Sequence, residues 1–403
     1  ELSGVMVHAH IINSLIDKKN IDSTPLFIRY LLCGILAFLT LQLFEKFKKR
    51  IIYESNTGPY KVGIFSSPYF KDINELIKVN GESISDEDFI KIYKDYEKSF
   101  KKFNLSEFEI ETFIAFTYFT NVGCDICFIE CGMGGELDAT NIFKPVLSII
   151  TSIGLEHTAY LGKTVAEIAY SKSGIIKDDV PVVVGRLLDE AEGAIIEVAN
   201  SHRTKVHRIV DPANVIFTGN GYTFGYETYP NIHINNVSAY MVQNACIALE
   251  GINFLKNDFP ISIESIQKGF ASKTLDARFS ILEKDDHIIV DGAHNPEGCH
   301  KLVDTIQSRY SGSKFRIVFT CFRDKNLERM LANLGEITND IILTSFPNER
   351  CRNEDDYFLF LAEYKYIADP LEAVKVLREE YPDDYVLVTG SLAFAGYMLD
   401  LLK

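Results

Sequence analysis

Tryptophan is absent from the 403 residues, and positive charge is scarce: 41 Lys and Arg face 56 Asp and Glu, a net charge of −15. Binding nucleic acid through a general basic surface needs the opposite balance, so no such partner is expected. A local basic pocket for phosphates is still allowed. Long apolar runs are also rare. The one membrane-like stretch, residues 26–44, is broken by Arg29 and Gln42 and followed by Lys46, Lys48, Lys49 and Arg50. Its length is at the lower limit for a bilayer span. A core helix of an α/β domain accounts for it, and no membrane partner is expected. The chain opens at Glu1 without a basic leader or cleavage motif, so no signal peptide is expected either.

The eight cysteines, at 33, 124, 127, 131, 246, 299, 321 and 351, lack the spacing of a disulfide framework. Cys124, Cys127 and Cys131 invite a thiolate metal site. Against it, residues 125–129 look like a buried strand, where cysteine is a small apolar residue and positions 124 and 127 diverge. Unpaired thiols suit a reducing cytoplasm. Neither repeats nor low-complexity tracts occur.

A globular chain is indicated by 47% hydrophobic and 24% charged residues. Its 403 residues exceed one ordinary core, so two domains are expected. A short strand at 60–65 stops at Ser66-Ser67-Pro68, and Asn80-Gly81 marks a turn. Ser85 and Ser106, each followed by acids, are helix caps, the second helix running to about Phe119. Helices are further expected over 164–176, 243–255 and 263–270, a buried strand at 181–185, and a small antiparallel section over 205–237. After a break near 272–274, strands at 287–290, 316–321, 341–344 and 385–389 alternate with helices from Pro296 and Leu371. That rhythm belongs to a doubly wound sheet.

Residues 126–157 carry the most chemistry. An apolar run ends in Glu130, and a turn with Gly132, Gly134 and Gly135 leads to Asp138-Ala139-Thr140-Asn141. A second apolar run, 146–153, reaches Gly154 and His157. Two neighbouring buried strands would each deliver a metal-capable side chain at the sheet edge where ligands bind. The glycines would let a substrate approach the backbone. The edge is expected to hold a divalent cation and an anionic substrate. The plainer alternative makes Glu130 a turn cap and His157 a satisfied loop histidine.

Several stretches resemble one family in its order: Lys61 to Tyr69, Asn80-Gly81-Glu82, Leu105 to Glu109, Glu130 to Asn141, Gly154 to His157, and Lys172 to Lys177. Ala277-Arg278-Phe279, Asp291 to Pro296, Asp324-Lys325 and Gly390-Ser391 complete the set. The chain is similar to folylpolyglutamate synthase and dihydrofolate synthase of the Mur ligase superfamily. The resemblance implies two doubly wound α/β domains: a larger ATP- and folate-binding domain, residues 1–271, and a smaller Rossmann-like glutamate-ligase domain, residues 272–403, with the active cleft between them. It implies a cytoplasmic, monomeric ligase that uses ATP and Mg²⁺. A folate or dihydropteroate carboxylate would be phosphorylated and then attacked by L-glutamate, chemistry that rests on alignment and charge neutralisation.

By the same resemblance Glu130 and His157 would hold magnesium. Lys172 would be carbamylated to support a second metal. Asn244, Arg278, Asp291 and His294 would contact the nucleotide: Arg278 at phosphate, Asp291 at the ribose, His294 near the transferred phosphoryl and in catalysis. Ser66, Ser67, Pro68, Tyr69, Asp138 and Ala139 would cradle the pterin, Tyr69 stacking on a flat ring. Glu136 stands where the family has arginine, and Ala277 where it has glycine. The largest departure lies at residues 38–45. There the family's glycine-rich loop ending in Lys-Ser/Thr, which cradles phosphates, is replaced by Phe-Leu-Thr-Leu-Gln-Leu-Phe-Glu. Each lost charge-assisted bond is worth roughly 1.5–3 kcal/mol, so weak turnover is expected. A non-catalytic folate-binding relative and an incomplete gene product are the alternatives.

Overall fold

The computed structural model describes residues 60–69, 72–155, 157–158, 160–272 and 276–402. The expected core helix at 26–44 and the altered segment at 38–45 lie outside these. Among the described residues no helix is long and apolar enough to cross a membrane. The described residues form two compact units: those up to 182 with 187–206, and 183–186 with those from 207 onward. By contact, therefore, residues 207–271 lie with the carboxyl-terminal sheet.

In the first unit, strands β1 (Val62–Phe65), β2 (Ile77–Val79) and β3 (Glu82–Ser83) precede helices α1 (Asp86–Phe103) and α2 (Glu107–Val122). The serine caps stand where expected. Ser85 Oγ accepts from Asp88 N at 3.1 Å, and Ser106 N donates to Glu109 Oε2 at 2.6 Å in a reciprocal capping box. Strand β4 (Ile126–Ile129) pairs in parallel with β1, giving a sheet ordered β3-β2-β1-β4. Phe65, Leu76, Ile77, Ile114, Phe116 and Phe119 form its core.

Strand β5 (Ser148–Ile150), helix α3 (Val165–Ser173), β6 (Val182–Val184), α4 (Asp189–Ser201) and β7 (Val206–Arg208) follow. Strands β5, β6 and β7 form a separate three-stranded sheet. The expected adjacency of the two apolar runs is thus corrected: β4 and β5 belong to different sheets. The first strand is not fully buried either, since Phe128 is 48% exposed. Unbroken hydrophobicity showed that both runs were strands but carried no information on their partners. A second correction concerns Cys124 and Cys127. Their side chains interact, which raises the Cys127 thiol and lowers that of Cys124. Cys124 lies in the turn after α2 and before β4 begins, so strand alternation does not govern it.

The second unit opens with an antiparallel meander, β8 (Ala213–Phe217), β9 (Tyr222–Tyr226) and β10 (Tyr229–Ile234), as expected for this region. Tyr222, Phe224 and Tyr226 alternate inward, in one core with residues of α5 (Tyr240–Leu255) and α6 (Ile263–Ser272). The carboxyl-terminal sheet comprises β11 (Ser280–Ile281), β12 (Ile288–Val290), β13 (Phe315–Phe319), β14 (Ile341–Leu343), β15 (Lys365–Tyr366) and β16 (Tyr385–Thr389). Its order is β11-β12-β16-β13-β14-β15, parallel except for β11. Helices α7 (Pro296–Arg309), α8 (Leu327–Gly335), α9 (Pro370–Glu380) and α10 (Leu392–Leu402) alternate with these strands. The fold class is the expected α/β.

Candidate active site

In the first unit the parallel register of β1 on β4 sets Phe65 opposite Ile129. The residues just beyond both strands therefore lie side by side at their carboxyl ends. Glu130 N donates to Phe65 O at 2.9 Å, and Ser67 N donates to Glu130 Oε2 at 3.1 Å. Ser66 N is tied to Leu76 O at 3.0 Å. Pro68 and Tyr69 follow, both exposed. Register alone thus joins the serine segment to the acid.

The glycine turn packs against neighbouring protein atoms. A Cβ at Gly132 would lie 2.6 Å from the Phe108 ring, and one at Gly134 2.8 Å from Ser171 Oγ and 2.9 Å from Leu161. At Gly135 it would lie 2.5 Å from Lys172 O. A Cβ at any of the three positions would meet protein atoms. The small residues let one loop pack on α2, on α3 and on the turn that carries His157. That turn closes through His157 O, which accepts from Tyr160 N at 2.9 Å and Leu161 N at 3.0 Å. His157 itself is exposed, with φ of +50°.

Asp138 stiffens the loop from within. Only 6% exposed, it accepts from Met133 N at 2.8 Å, Thr140 N at 3.0 Å and Thr140 Oγ1 at 2.5 Å. Ala139 beside it is half-buried. Asn141 Nδ2 donates to Gly174 O at 2.9 Å and Glu136 O at 3.3 Å, clamping the end of α3 to the loop. Sequence reasoning saw Asn141 only as part of a polar cluster, because its partner is 33 residues away.

Burial pushes the Cys131 thiol up, and the charges acting on it are those of Asp138, Lys172 and Glu130. Three expected site residues therefore share its surroundings. Glu136 sits in the field of Lys177, whose ammonium burial pulls below its ordinary value and which donates to Gly174 O at 3.1 Å. A lysine from the next turn thus offsets the acid that replaced the family's arginine. Magnesium fits this donor set in kind: Glu130 is an exposed carboxylate at a strand end, a hard oxygen donor.

In the second unit the expected nucleotide residues gather after β12. Asp291 is 5% exposed, and burial pushes its carboxyl up. Its Oδ2 accepts from Phe279 N and its Oδ1 from Ala293 N, both at 2.8 Å. It thereby holds the backbone on both sides of the turn. Arg278 passes over Gly292, where a Cβ would stand 3.0 Å from its Nη1. His294 Nδ1 donates to Gly292 O at 3.0 Å, and Asn295 caps α7 by accepting from Gly298 N at 2.7 Å. Asn244 is exposed on α5. Asp285, Asp286 and His287 crowd together elsewhere, but Arg378 engages Asp285 at 2.9 Å and Tyr385 stacks on His287, which makes them a structural cluster.

Comparison with known proteins bears on these two clusters. Residues 277–392 match the family described as Mur ligase, glutamate ligase domain. The dihydrofolate synthase/folylpolyglutamate synthase of Bacillus subtilis is 32% identical over 364 residues, covering 85% of this chain and 84% of that protein. The folylpolyglutamate synthase of Thermotoga maritima superimposes with a TM-score of 0.72 at 31% identity, over 85% of this chain and 82% of that one. A folylpolyglutamate synthase complex with AMPPCP and folate gives 0.72 at 25% identity, over 92% and 87%. Parallel strands with polar turns at their carboxyl ends, together with these matches, define an enzyme of the Mur ligase class. More narrowly, the chain belongs to the dihydrofolate synthase/folylpolyglutamate synthase family.

Proposed function

We propose that this chain joins L-glutamate to a carboxylate of folate or dihydropteroate at the expense of ATP. The substrate carboxylate attacks the γ-phosphorus and ADP leaves; the glutamate amine then attacks the acyl phosphate, losing a proton as phosphate departs. Ser66, Ser67, Pro68 and Tyr69 receive the pterin side of the substrate, while Asp138 and Ala139 shape the wall beside it. Glu130 and His157 would hold Mg²⁺, which when bound neutralises charge on the phosphates. The Lys172 amine, on taking up CO₂ and releasing a proton, becomes an anionic carbamate able to support a second cation. Arg278 faces the nucleotide phosphates, His294 lies near the transferred phosphoryl, Asn244 borders the base, and Asp291 supports them from behind.

The observation that supports this reading is the contact between Ser67 N and Glu130 Oε2, which joins the serine segment to the metal-capable acid. The match at residues 277–392 supports a glutamate-ligase module over residues 272–403, with the ATP and folate module before it. The seven described cysteines are free thiols, which suits a cytoplasmic protein, and a monomer suffices for the chemistry.

Incorporation of labelled glutamate into dihydropteroate or a reduced folate, with ATP and Mg²⁺, tests the proposal. We expect turnover that Glu130→Gln and Lys172→Ala each lower by at least about a hundredfold. Lys172→Ala at the wild-type rate would refute the assigned role. The absence of the family's glycine-rich loop at residues 38–45 favours a second reading, a folate-binding protein with negligible turnover. Thermal stabilisation by folate but not by ATP would select it.

A further inference from the structure

Arg278 lies in unusual backbone. Ala277 at φ +55° and Phe279 at φ +57° flank it in the left-handed region, which side chains with a Cβ enter at a cost. Such paired strain persists only where the surroundings over-determine the chain, and it gathers at functional sites. Four hydrogen bonds supply the restraint. Gly292 N donates to Ala277 O at 2.8 Å, and Phe279 N donates to Asp291 Oδ2 at 2.8 Å. Asn236 Nδ2 donates to Arg278 O at 2.6 Å, while Asn236 Oδ1 accepts from Ser238 N at 2.9 Å. Asn236 lies just before α5, 42 residues from Arg278, and in the sequence it is an ordinary loop asparagine.

We propose that Asn236 is a positioning residue that aims the Arg278 guanidinium at the phosphates of the bound nucleotide, an inference that rests on the nucleotide role assigned to Arg278 above. Its carboxamide reaches two ways. The oxygen secures the turn entering α5, the helix that bears Asn244. The amide nitrogen secures the Arg278 carbonyl, on the peptide group whose N–H, that of Phe279, Asp291 already holds. With Ala277 and Phe279 buried, the chain on both sides is fixed, and the donor from Asn236 adds a restraint on the arginine's direction beside the guanidinium's own bond from Nη1 to Ala277 O at 3.4 Å.

The two atoms can be tested separately. Asn236→Asp keeps the oxygen that accepts from Ser238 N but sets a second oxygen against Arg278 O, whereas Asn236→Ala removes both contacts. In the full-length protein, calorimetric titration with Mg²⁺ and ADP is expected to show roughly tenfold weaker binding for both variants, the scale of one lost oriented hydrogen bond. Asn236→Asp in the Arg278→Ala background should cause no further loss, because both act through one group. Wild-type affinity in folded Asn236→Asp, or losses that add in the double variant, would overturn the proposal. If the wild type binds no ADP, the nucleotide reading itself fails. Positioning is then decided by phenylglyoxal labelling of Arg278, followed by peptide mass spectrometry. Faster labelling in Asn236→Asp supports it, and an unchanged rate ends it.

Discussion

Ala277 shows how one side chain can sit badly for its backbone. Its φ of +55° suits glycine, and the family resemblance places glycine there. Ala277→Gly is expected to stabilise the protein by about 1 kcal/mol, the cost of a Cβ in left-handed backbone, read as a higher urea midpoint. Glu111 is a second case. Burial, with a smaller effect from the charge of Glu107, raises its carboxyl from 4.5 to about 7. Between those values the folded protein keeps a proton that the unfolded chain has released. Stability from this group is therefore full below about pH 4.5, falls as pH rises, and is gone above about pH 7. Glu111→Gln has no such proton, so the variant should overtake the wild type in urea midpoint above about pH 7. Neither effect shows in composition, since both depend on what surrounds the residue.

Elements with their own signals matched the sequence reading closely. Helices α1 and α2 begin after Ser85 and Ser106, because a cap and its acids act within four residues. Shorter or weakly capped helices, α4, α8 and α10, were not foreseen; α4 has no side-chain cap bond at Leu188. The glycine loop was located, but its packing against α2 and α3 was not legible, since the neighbours of a small residue depend on packing across 30 to 40 residues. Gly135→Ala tests the packing role. Its Cβ would meet Lys172 O at 2.5 Å, so α3 must shift. We expect a loss of about 1–3 kcal/mol and a fall in glutamate incorporation. A variant as stable and active as the wild type would contradict it.

For the chain as a whole, the rhythm of strands and helices and the ordered motifs were enough to place it in its family. They also named the residues that gather around Cys131 and after β12. The supports of those residues, Asn141 and Asn236, were not legible. Asparagine is common in loops, and each one's meaning lies in a carbonyl far along the chain. Strand partnership was likewise hidden, so the two apolar runs around Glu130 and His157 were wrongly joined as neighbours. Local chemistry such as caps, turns, alternation and hydrophobic runs is written within a few residues, and the amino-acid order determined it unaided. Register, sheet membership, the occupants of the space around each glycine and the strain beside Arg278 arise from long-range packing, where excluded volume and buried hydrogen bonds choose among alternatives that are locally equivalent.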